Sequence, residues 1–339
     1  MPLTRLLYLG YYFKTLDRDK FSKFMDVATE QTGFSKAAIW SDVLRCSLQY
    51  NISIMEYFLF RFYEKAHEQR STFAGTGFMY EYQRQMNPKK ERGVLENKYR
   101  FLTAYEPFIR HRFALLDQLR DNPELAGEML QSESGKLVIK SIDGQCGKGV
   151  EVLDCSEWDA VSLVRHMEQT GNHLAEEFLS QHDDLMNLSP SGLNTVRIFT
   201  QLNGQHQPEI LGCRLRVTVN SHVDNMAAGN LVAPIREENG EIVGPAVYSD
   251  ITKEPVASHP VTGSEIVGFN IPFWKETLEM VKQAAVYHTG NRSIGWDVAI
   301  TNQGPDLIEA NHDWCKLVWQ LPVGKGMKSN LQKYLTSDL

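Results

Sequence analysis

The sequence lacks the features that would assign it to several common classes of protein. No uninterrupted apolar run approaches the roughly 18 residues of a membrane-spanning helix, and the segment MPLTRLLYLGYYFK has too short an apolar stretch for a signal peptide. The five cysteines are scattered and never form a Cys-x-x-Cys pair, which favours reduced thiols over a disulfide framework or a zinc site. A formal net charge of −7 argues against a dedicated nucleic-acid binder. We therefore expect a cytoplasmic protein with no integral membrane segment and no nucleic-acid partner.

Several catalytic signatures are missing as well. The sequence contains neither GxxxxGK[ST] nor GxGxxG, so neither a P-loop nor a Rossmann fingerprint applies. It has no HExxH, HRD or GxSxG motif, and its ten histidines show no metal-ligand spacing. His259 and His312 are accordingly expected to be structural or exposed to solvent. The chemistry of this chain should not depend on a nucleophile from a recognisable triad.

The chain is long enough for two or three packed units, since 42% of its 339 residues are hydrophobic. Residues 1–97 look mostly helical, and the aromatic-rich stretch 53–70 predicts a helix used for core or interdomain packing. The polar segment 86–93, MNPKKERG, is punctuated by proline and glycine, as expected of a linker. From about residue 94 short β runs alternate with amphipathic helices, and later runs indicate an antiparallel sheet.

The segment 293–313, SIGWDVAITNQGPDLIEANHD, predicts two short strands joined by a turn. Apolar residues alternate along the first strand with the period of a half-buried strand. If Asn-Gln-Gly-Pro-Asp is the loop, Ala299 faces Glu309 and Asp297 faces Asn311, all on one face. Three oxygen-bearing side chains then converge, as would suit Mg²⁺ carried in on a phosphate. A polar hairpin face in water is the alternative, and this segment alone does not decide between them.

A glycine-rich loop lies between two β runs in 137–154, LVIKSIDGQCGKGVEVLD. Its glycines permit positive φ angles and close backbone approach, so that successive N–H groups can face phosphate oxygens. Lys140 at the strand end and Lys148 in the loop add positive charge. The segment predicts a lid that closes over a nucleotide. A flexible hairpin with solvated lysines is the alternative.

The segment 173–184, HLAEEFLSQHDD, offers an extended backbone that suits the edge of an adenine ring. Phe178 or Leu179 would contact the ring, and Asp183 or Asp184 would accept hydrogen bonds from ribose hydroxyls. Taken alone, the same residues would be read as an edge strand followed by an acidic loop.

Arginines lie within the strands that follow. Arg197 sits inside an otherwise apolar strand and needs an anionic partner, either an internal carboxylate or a substrate phosphate. Arg214 and Arg216 share one face of the next strand by the i, i+2 rule, and Asn225 comes soon after them. Paired arginines suit bidentate capture of a carboxylate or phosphate, although a charged outer sheet face gives the same pattern.

With these segments in order, the chain resembles the ATP-grasp proteins, and specifically the bacterial sugar-transfer-associated ATP-grasp family of cell-surface polysaccharide gene clusters. The resemblance runs from about ENKYRF at 96 to LIEANHDW at 314, and its most specific phrases are VIKSIDGQCGKGVEVL, LNTVRIFT, VDNMAAGN, HPVTG followed by IPFW, and IGWDVAIT…GPDLIEAN. It implies an α+β fold of the ATP-grasp type, with two α/β subdomains clasping ATP and a helical N-terminal region. The expected division is 1–97 for the helical region, 98–175 for the small subdomain with the lid, and 176–339 for the large subdomain with the antiparallel sheet and magnesium site.

The resemblance also implies which residues bind the nucleotide. Lys98 and Lys140 match the two nucleotide lysines. The remaining matches are the phosphate lid (Gly144, Gly147, Lys148, Gly149), the adenine-contacting hinge (Glu176, Glu177, Phe178, Leu179) and the ribose acid (Asp183).

The implied metal and reaction sites follow in the same way. Asp297, Glu309 and Asn311 match the magnesium ligands, and Arg197 and Asn225 match positions facing the γ-phosphate or the acceptor. The sequence departs from the pattern at one place, because many ATP-grasp ligases have an arginine where this chain has Gly295. The residues that can substitute for it are Arg214, Arg216 and Arg292.

The implied activity is an ATP- and Mg²⁺-dependent ligation in which a carboxylate is phosphorylated and an amine then displaces the phosphate. For this family the resemblance suggests an amide between an amino acid or amine and a carboxylated sugar, so that the partners are small molecules. An ATP-grasp kinase acting on a hydroxyl and a non-catalytic nucleotide-binding protein remain as alternatives. The sequence does not name the acid, the amine or the oligomeric state.

Overall fold

The computed structural model describes residues 3–142, 149–221 and 225–335. The amino-terminal part is helical, as predicted, and its α-helices are α1 (Leu3–Lys14), α2 (Arg18–Thr32), α3 (Lys36–Tyr50), α4 (Ile54–Leu59), α5 (His67–Ser71) and α6 (Thr76–Met86). Helices α1–α4 and the residues after α4 enclose a core of their own, in which Tyr57, Phe58 and Phe62 are fully buried, whereas α6 packs with Trp314 and Trp319. The aromatic residues of 53–70 therefore serve core packing, as predicted.

The prediction of one continuous helix over 53–70 was wrong. A capping box between Ser53 and Glu56 starts α4. Arg61 adopts a left-handed φ of 52°, which ends the helical path, and a 3₁₀ turn at Phe62–Glu64 leads to α5. Because rings at 57, 58, 60 and 62 all turn inward, the backbone has to break the helical period that would place some of them in solvent.

A four-stranded antiparallel sheet follows in the described residues, in the order β1-β4-β2-β3. Its strands are β1 (Phe113–Leu115), β2 (Lys136–Lys140), β3 (Glu151–Asp154) and β4 (Leu174–Glu177). The helices of this part are α7 (Gly93–Glu96), α8 (Lys98–Ala104), α9 (Leu116–Asp121), α10 (Pro123–Met129) and α11 (Ala160–Thr170). Asp159 caps α11 and Gly171 ends it in the left-handed conformation. Since β4 lies between β1 and β2, the edge-strand reading of 173–184 was wrong.

A five-stranded antiparallel sheet occupies the carboxyl-terminal part of the described chain, in the order β7-β6-β5-β8-β9. Its strands are β5 (Thr195–Leu202), β6 (Pro208–Val217), β7 (Leu231–Ile235), β8 (Ser293–Thr301) and β9 (Gly304–Asn311). The α-helices here are α12 (Asp183–Leu188), α13 (Trp274–Tyr287), α14 (Lys316–Gln320) and α15 (Lys328–Leu335). The antiparallel sheet predicted from the sequence is confirmed.

The two faces of the five-stranded sheet differ in chemistry. Even-numbered residues of β8, with Val196 and Ile198 of β5, pack against α13 and α8 in one apolar core. The odd-numbered face carries Arg197 and Asp297, and its far end is covered by Trp314 and Trp319. β8 is thus buried on both faces rather than half-buried as predicted.

The segment predicted as a linker is packed into the fold. Asn87 is fully buried, and its side chain bonds to the backbone of Ser293 and His312. The division at residues 97 and 175 stays a prediction, while Phe101 and Leu102 of α8 belong to the core of the five-stranded sheet. Among the helices of the described ranges, none has the length and apolar character needed to span a membrane.

Candidate active site

The hairpin of β8 and β9 has a different register from the predicted one. Thr301 pairs with Gly304, so the turn consists of Asn302 and Gln303 alone. This register would place Ile308 opposite Asp297, but a bulge at that point makes Ile308 an extra residue and sets Glu309 opposite Asp297 instead. A one-residue shift exchanges the two faces of a strand. The bulge is therefore what brings Glu309 and Asn311 to the face of Asp297.

Two arginines surround the carboxylate of Asp297. Arg197, directly opposite on β5, donates from Nε and Nη2 at 2.5 and 2.6 Å, and Arg216 of β6 donates from Nη1 at 3.1 Å. Although burial alone would raise it, the charges of Arg197 and Arg216 hold the pKa of Asp297 below its ordinary value. The anionic partner that Arg197 was expected to need is thus an internal carboxylate.

Glu309 lies in the same electrostatic environment. Glu309 is exposed to solvent as a residue, but neighbouring protein atoms desolvate its carboxyl; this desolvation and then the negative charge of Asp297 raise the pKa of Glu309, against the opposing charges of Arg197 and Lys140. Asn311 is next on this face, close enough to the Glu309 carboxylate to lower that pKa. In the described part of the chain its buried amide nitrogen meets no acceptor with hydrogen-bond geometry. Asn311 therefore lies beside the Glu309 carboxylate with part of its hydrogen-bonding capacity unused.

These oxygen atoms suit magnesium, which prefers carboxylate and amide oxygens. Across residues 3–142, 149–221 and 225–335, no three His, Cys, Asp or Glu side chains are grouped so that they could hold a metal by themselves. An ion between Asp297 and Glu309 would thus use Asn311 and oxygens of a bound phosphate to complete its coordination. The donor set is of the kind that Mg²⁺ arriving with a nucleotide prefers, and the ion would share the oxygens of Asp297 with Arg197 and Arg216, which already donate to both of them.

The nucleotide lysines predicted from the sequence flank the glycine-rich loop. Lys140 ends β2, is largely buried and forms an ion pair with Glu176 of the neighbouring β4. Lys98 starts α8, and both its backbone nitrogen and its Nζ lie 3.5 Å from the carbonyl oxygen of Ile142, immediately before the loop. Gly144, Gly147 and Lys148 lie outside the described residues. Gly149 has a φ of 73°, the left-handed conformation that favours glycine.

The predicted adenine hinge connects the two sheets. Glu177 ends β4, and its carboxylate accepts hydrogen bonds from Nε, Nη2 and the backbone nitrogen of Arg112. Phe178 lies half-buried under Lys136, whose Nζ is 5.3 Å from the ring centre. Leu179 is half-buried in the connection that follows β4. Asp183 starts α12 and accepts a hydrogen bond from Asn302 at the hairpin turn.

The structure does not bring Arg214, Asn225 or Arg292 into this group. Arg214 is turned to the end of α14, where it donates to the carbonyl oxygen of Trp319, and burial lowers its pKa to about 10. Asn225 caps the short 3₁₀ helix at Met226–Ala228. Arg292 precedes β8 and donates to the carbonyl oxygen of Leu202.

Two buried residues at the site were missed by sequence reasoning. Asp306 shares the ligand face of β9 and accepts hydrogen bonds from Arg110 and His111. Asn87 holds the first residue of β8 and the residue that follows Asn311. Asp306 had been assigned to the hairpin loop and Asn87 to a linker. Local pattern gave no signal for either residue, because their partners are about 200 residues away in the chain.

Comparison of the sequence with known families and proteins gives one family match. A family model described as sugar-transfer associated ATP-grasp matches residues 78–335. No curated protein matches the chain.

Solved structures give a likeness at low identity. The ATP-grasp ligase PsnB complexed with a phosphomimetic variant of its minimal precursor, Mg and ADP is 12% identical, with a TM-score of 0.44, over 76% of this chain and 66% of that one. An L-amino acid ligase from Bacillus licheniformis is 15% identical, with a TM-score of 0.40, over 72% and 48%. A biotin carboxylase from Campylobacter jejuni is 11% identical, with a TM-score of 0.45, over 72% and 46%. The chain thus spans no more than 66% of the length of these structures.

Proposed function

Because the chain belongs to the sugar-transfer associated ATP-grasp family, we propose that it is an ATP- and Mg²⁺-dependent carboxylate–amine ligase. Its substrates are a carboxylated sugar and an amino acid or amine, and its setting is the cytoplasmic stage of cell-surface polysaccharide synthesis. The observation that supports this most is the grouping of Arg197, Arg216 and Lys140 around Asp297 and Glu309. Cationic groups placed around carboxylate metal ligands are what phosphoryl transfer requires.

The reaction has two steps. A carboxylate oxygen of the acid bonds to the γ-phosphorus of ATP while the bond from that phosphorus to ADP breaks, which leaves an acyl phosphate. The nitrogen of the amine then bonds to the carbonyl carbon, the phosphate leaves, and the nitrogen loses a proton. The products are an amide, ADP and phosphate, and neither step needs a nucleophile from the protein.

The residues of the chain divide this work. Bound Mg²⁺ would supply charge neutralisation at the transferred phosphoryl group, and Asp297, Glu309 and Asn311 would hold it. Lys140 would exchange part of its contact with Glu176 for the nucleotide phosphates. Nε and Nη2 of Arg197 donate hydrogen bonds to Asp297. Its Nη1 lies close to Gly295, where it would face the reacting carboxylate.

The test is a screen of purified protein with ATP and Mg²⁺ against uronic acids and sugar-linked carboxylates, alone and with amino acids. We expect ADP release to require a carboxylate, and added hydroxylamine to trap the acyl phosphate as a hydroxamate. Glu309→Gln should lose turnover, because it replaces a charged carboxylate ligand with a neutral amide and keeps the shape of the side chain.

Two outcomes would overturn the proposal. A stable phosphoester formed on a hydroxyl, with no hydroxamate, would make the protein an ATP-grasp kinase. Unchanged ATP turnover in Glu309→Gln would remove the metal assignment.

A further inference from the structure

The carboxylate of Asp306 is buried between the two sheets and is fully used as an acceptor. It receives the backbone N–H groups of Arg110 at 2.9 Å and His111 at 3.1 Å, and the Nδ1 of His111 at 2.9 Å. Both side chains of the Asp306–His111 pair are at most 2% exposed. These contacts join the residues just before β1 to β9, three positions before Glu309.

Arg110 extends the same contact to the turn of the hairpin. Its Nη1 donates to the carbonyl oxygen of Gln303 at 2.7 Å. Gly304 has a φ of 117°, and a Cβ added there would lie 3.4 Å from the Arg110 guanidinium. The Arg110 guanidinium thus packs at contact distance over Gly304, and the positive φ is what favours glycine there. Asp306 and Gln303 therefore bind Arg110 and His111 at two points of the same hairpin.

The residues that follow His111 connect this contact to Lys140, the lysine expected at the nucleotide phosphates. Arg112 follows His111 and binds Glu177, and Phe113 of β1 pairs with Glu176 of β4. Glu176 in turn forms the ion pair with Lys140. The charges of Glu176 and Lys140 both act on His111, while that of Lys140 also acts on Glu309. One continuous set of short contacts therefore connects the metal-binding hairpin with Lys140.

We propose that Asp306 and His111 form a tether that sets the position of Lys140 relative to the magnesium ligands, so that magnesium and nucleotide favour each other's binding. Asp306 is then a positioning residue, since it touches neither ligand. This inference rests on the proposed function, because it requires ATP and Mg²⁺ at this site. The nucleotide would bind to the four-stranded sheet, which carries Lys140, and magnesium would bind to the hairpin of β8 and β9. Loosening the tether should consequently weaken their cooperation rather than ADP binding itself.

The experiment is calorimetric titration of the full chain with ADP, with and without Mg²⁺, below the unfolding temperature. For the wild type we expect Mg²⁺ to tighten ADP binding. In Asp306→Asn that gain should shrink about tenfold, as for other groups that orient metal ligands indirectly, while the Kd for ADP without Mg²⁺ stays the same. His111→Ala should behave like Asp306→Asn. His111→Asn should restore part of the gain, because its amide nitrogen can replace Nδ1 as the donor.

Two comparisons separate positioning from simple loss of stability. Glu56 is also a buried carboxylate that accepts backbone N–H groups, from Ser53 and Thr76, but it lies in the helical region. Glu56→Gln should lower the unfolding temperature and leave the magnesium gain unchanged. In a Lys140→Met background, Asp306→Asn should reduce the gain no further.

The outcomes are distinct for the two claims. A wild type that binds no ADP would overturn the proposed function and the tether with it. A wild type with a magnesium gain that Asp306→Asn and His111→Ala retain in full would overturn the tether alone. An equal loss of the gain in Glu56→Gln would also overturn it, since the effect would then follow stability.

Discussion

Arg197 and Asp297 lie directly opposite each other on β5 and β8, and the arginine donates a hydrogen bond to each carboxylate oxygen. Both side chains are 8% exposed, so each charge depends on the other for the solvation it lost on folding. The same carboxylate is the first of the candidate magnesium ligands. Neither charge can therefore be removed alone without leaving the other short of a partner, and the pair keeps a negative charge at the site.

Replacing one partner of this pair should destabilise the protein more than replacing both. Arg197→Met leaves Asp297 buried with Arg216 alone, and we expect the free energy of unfolding to fall by about 3 kcal/mol. Adding Asp297→Asn should recover part of that loss, because no buried carboxylate is then left short of a partner. Urea denaturation of the two single variants and the double variant measures both effects.

An exposed pair provides the control. Arg236 and Glu241 are 48% and 32% exposed, so Arg236→Met should cost less than about 1 kcal/mol. A loss of stability in Arg197→Met no larger than that in Arg236→Met would contradict the dependence of the two buried charges on each other. ATP turnover should be lost in the double variant even where stability returns.

Magnesium affinity should depend on pH through Glu309. Desolvation of the carboxyl by neighbouring protein atoms and the charge of Asp297 raise its pKa from the ordinary value of 4.5 even though the residue is exposed, and only the ionised form binds a metal. The affinity should therefore fall as pH decreases, at a higher pH than an ordinary glutamate would require. Titration of the ADP complex with Mg²⁺ between pH 5 and pH 8 measures it. A pH profile unchanged in Glu309→Gln would show that another group is responsible.

The strands of the metal hairpin were predictable, but their pairing was not. Alternation of Ile294, Trp296, Val298 and Ile300 located β8 correctly at 293–301. The register depends on a two-residue turn and on the bulge at Ile308, which apolar spacing does not encode. The prediction nevertheless puts Asp297, Glu309 and Asn311 on one face. The turn is three residues shorter than predicted and the bulge adds one residue, so that together they shift the pairing by an even number and leave each side chain on its predicted face.

Contacts between distant segments were beyond local pattern. His111 and Asp306 are 195 residues apart, and each is unremarkable in its own stretch of sequence. The helix predicted over 53–70 failed for a related reason, since the burial of its rings overrode the helical period. Family resemblance predicts the nucleotide and metal residues, and only the fold reveals the contacts that join their segments.

Asn87 should be among the most sensitive positions outside the ligand face. Its amide donates at 2.7 Å to the carbonyl oxygens of Ser293 and His312 and accepts from the Ser293 nitrogen at 3.0 Å. Asn87→Ala leaves these buried groups without partners, which should cost about 3 kcal/mol at roughly 1 kcal/mol each. Asn239 is exposed, so Asn239→Ala should change stability by less than about 0.5 kcal/mol. Equal denaturation midpoints for the two variants would contradict the role of Asn87 as a clamp.

Gly295 should tolerate no side chain, which explains why this chain lacks an arginine there. A Cβ at 295 would lie 2.6 Å from the Cβ of Trp314 and 3.4 Å from Nη1 of Arg197. Trp314 is buried and cannot move aside, so Gly295→Ala should cost about 1–3 kcal/mol in the free energy of unfolding. Gly10 is a matched control, because a Cβ there meets nothing within 4 Å, and Gly10→Ala within α1 should stabilise by up to about 1 kcal/mol. We propose that Arg197, rather than Arg214, Arg216 or Arg292, supplies across the sheet the guanidinium that the family resemblance leads us to expect at this position. A Gly295→Arg variant that folds and turns over ATP like the wild type would show that Arg197 does not fill that place.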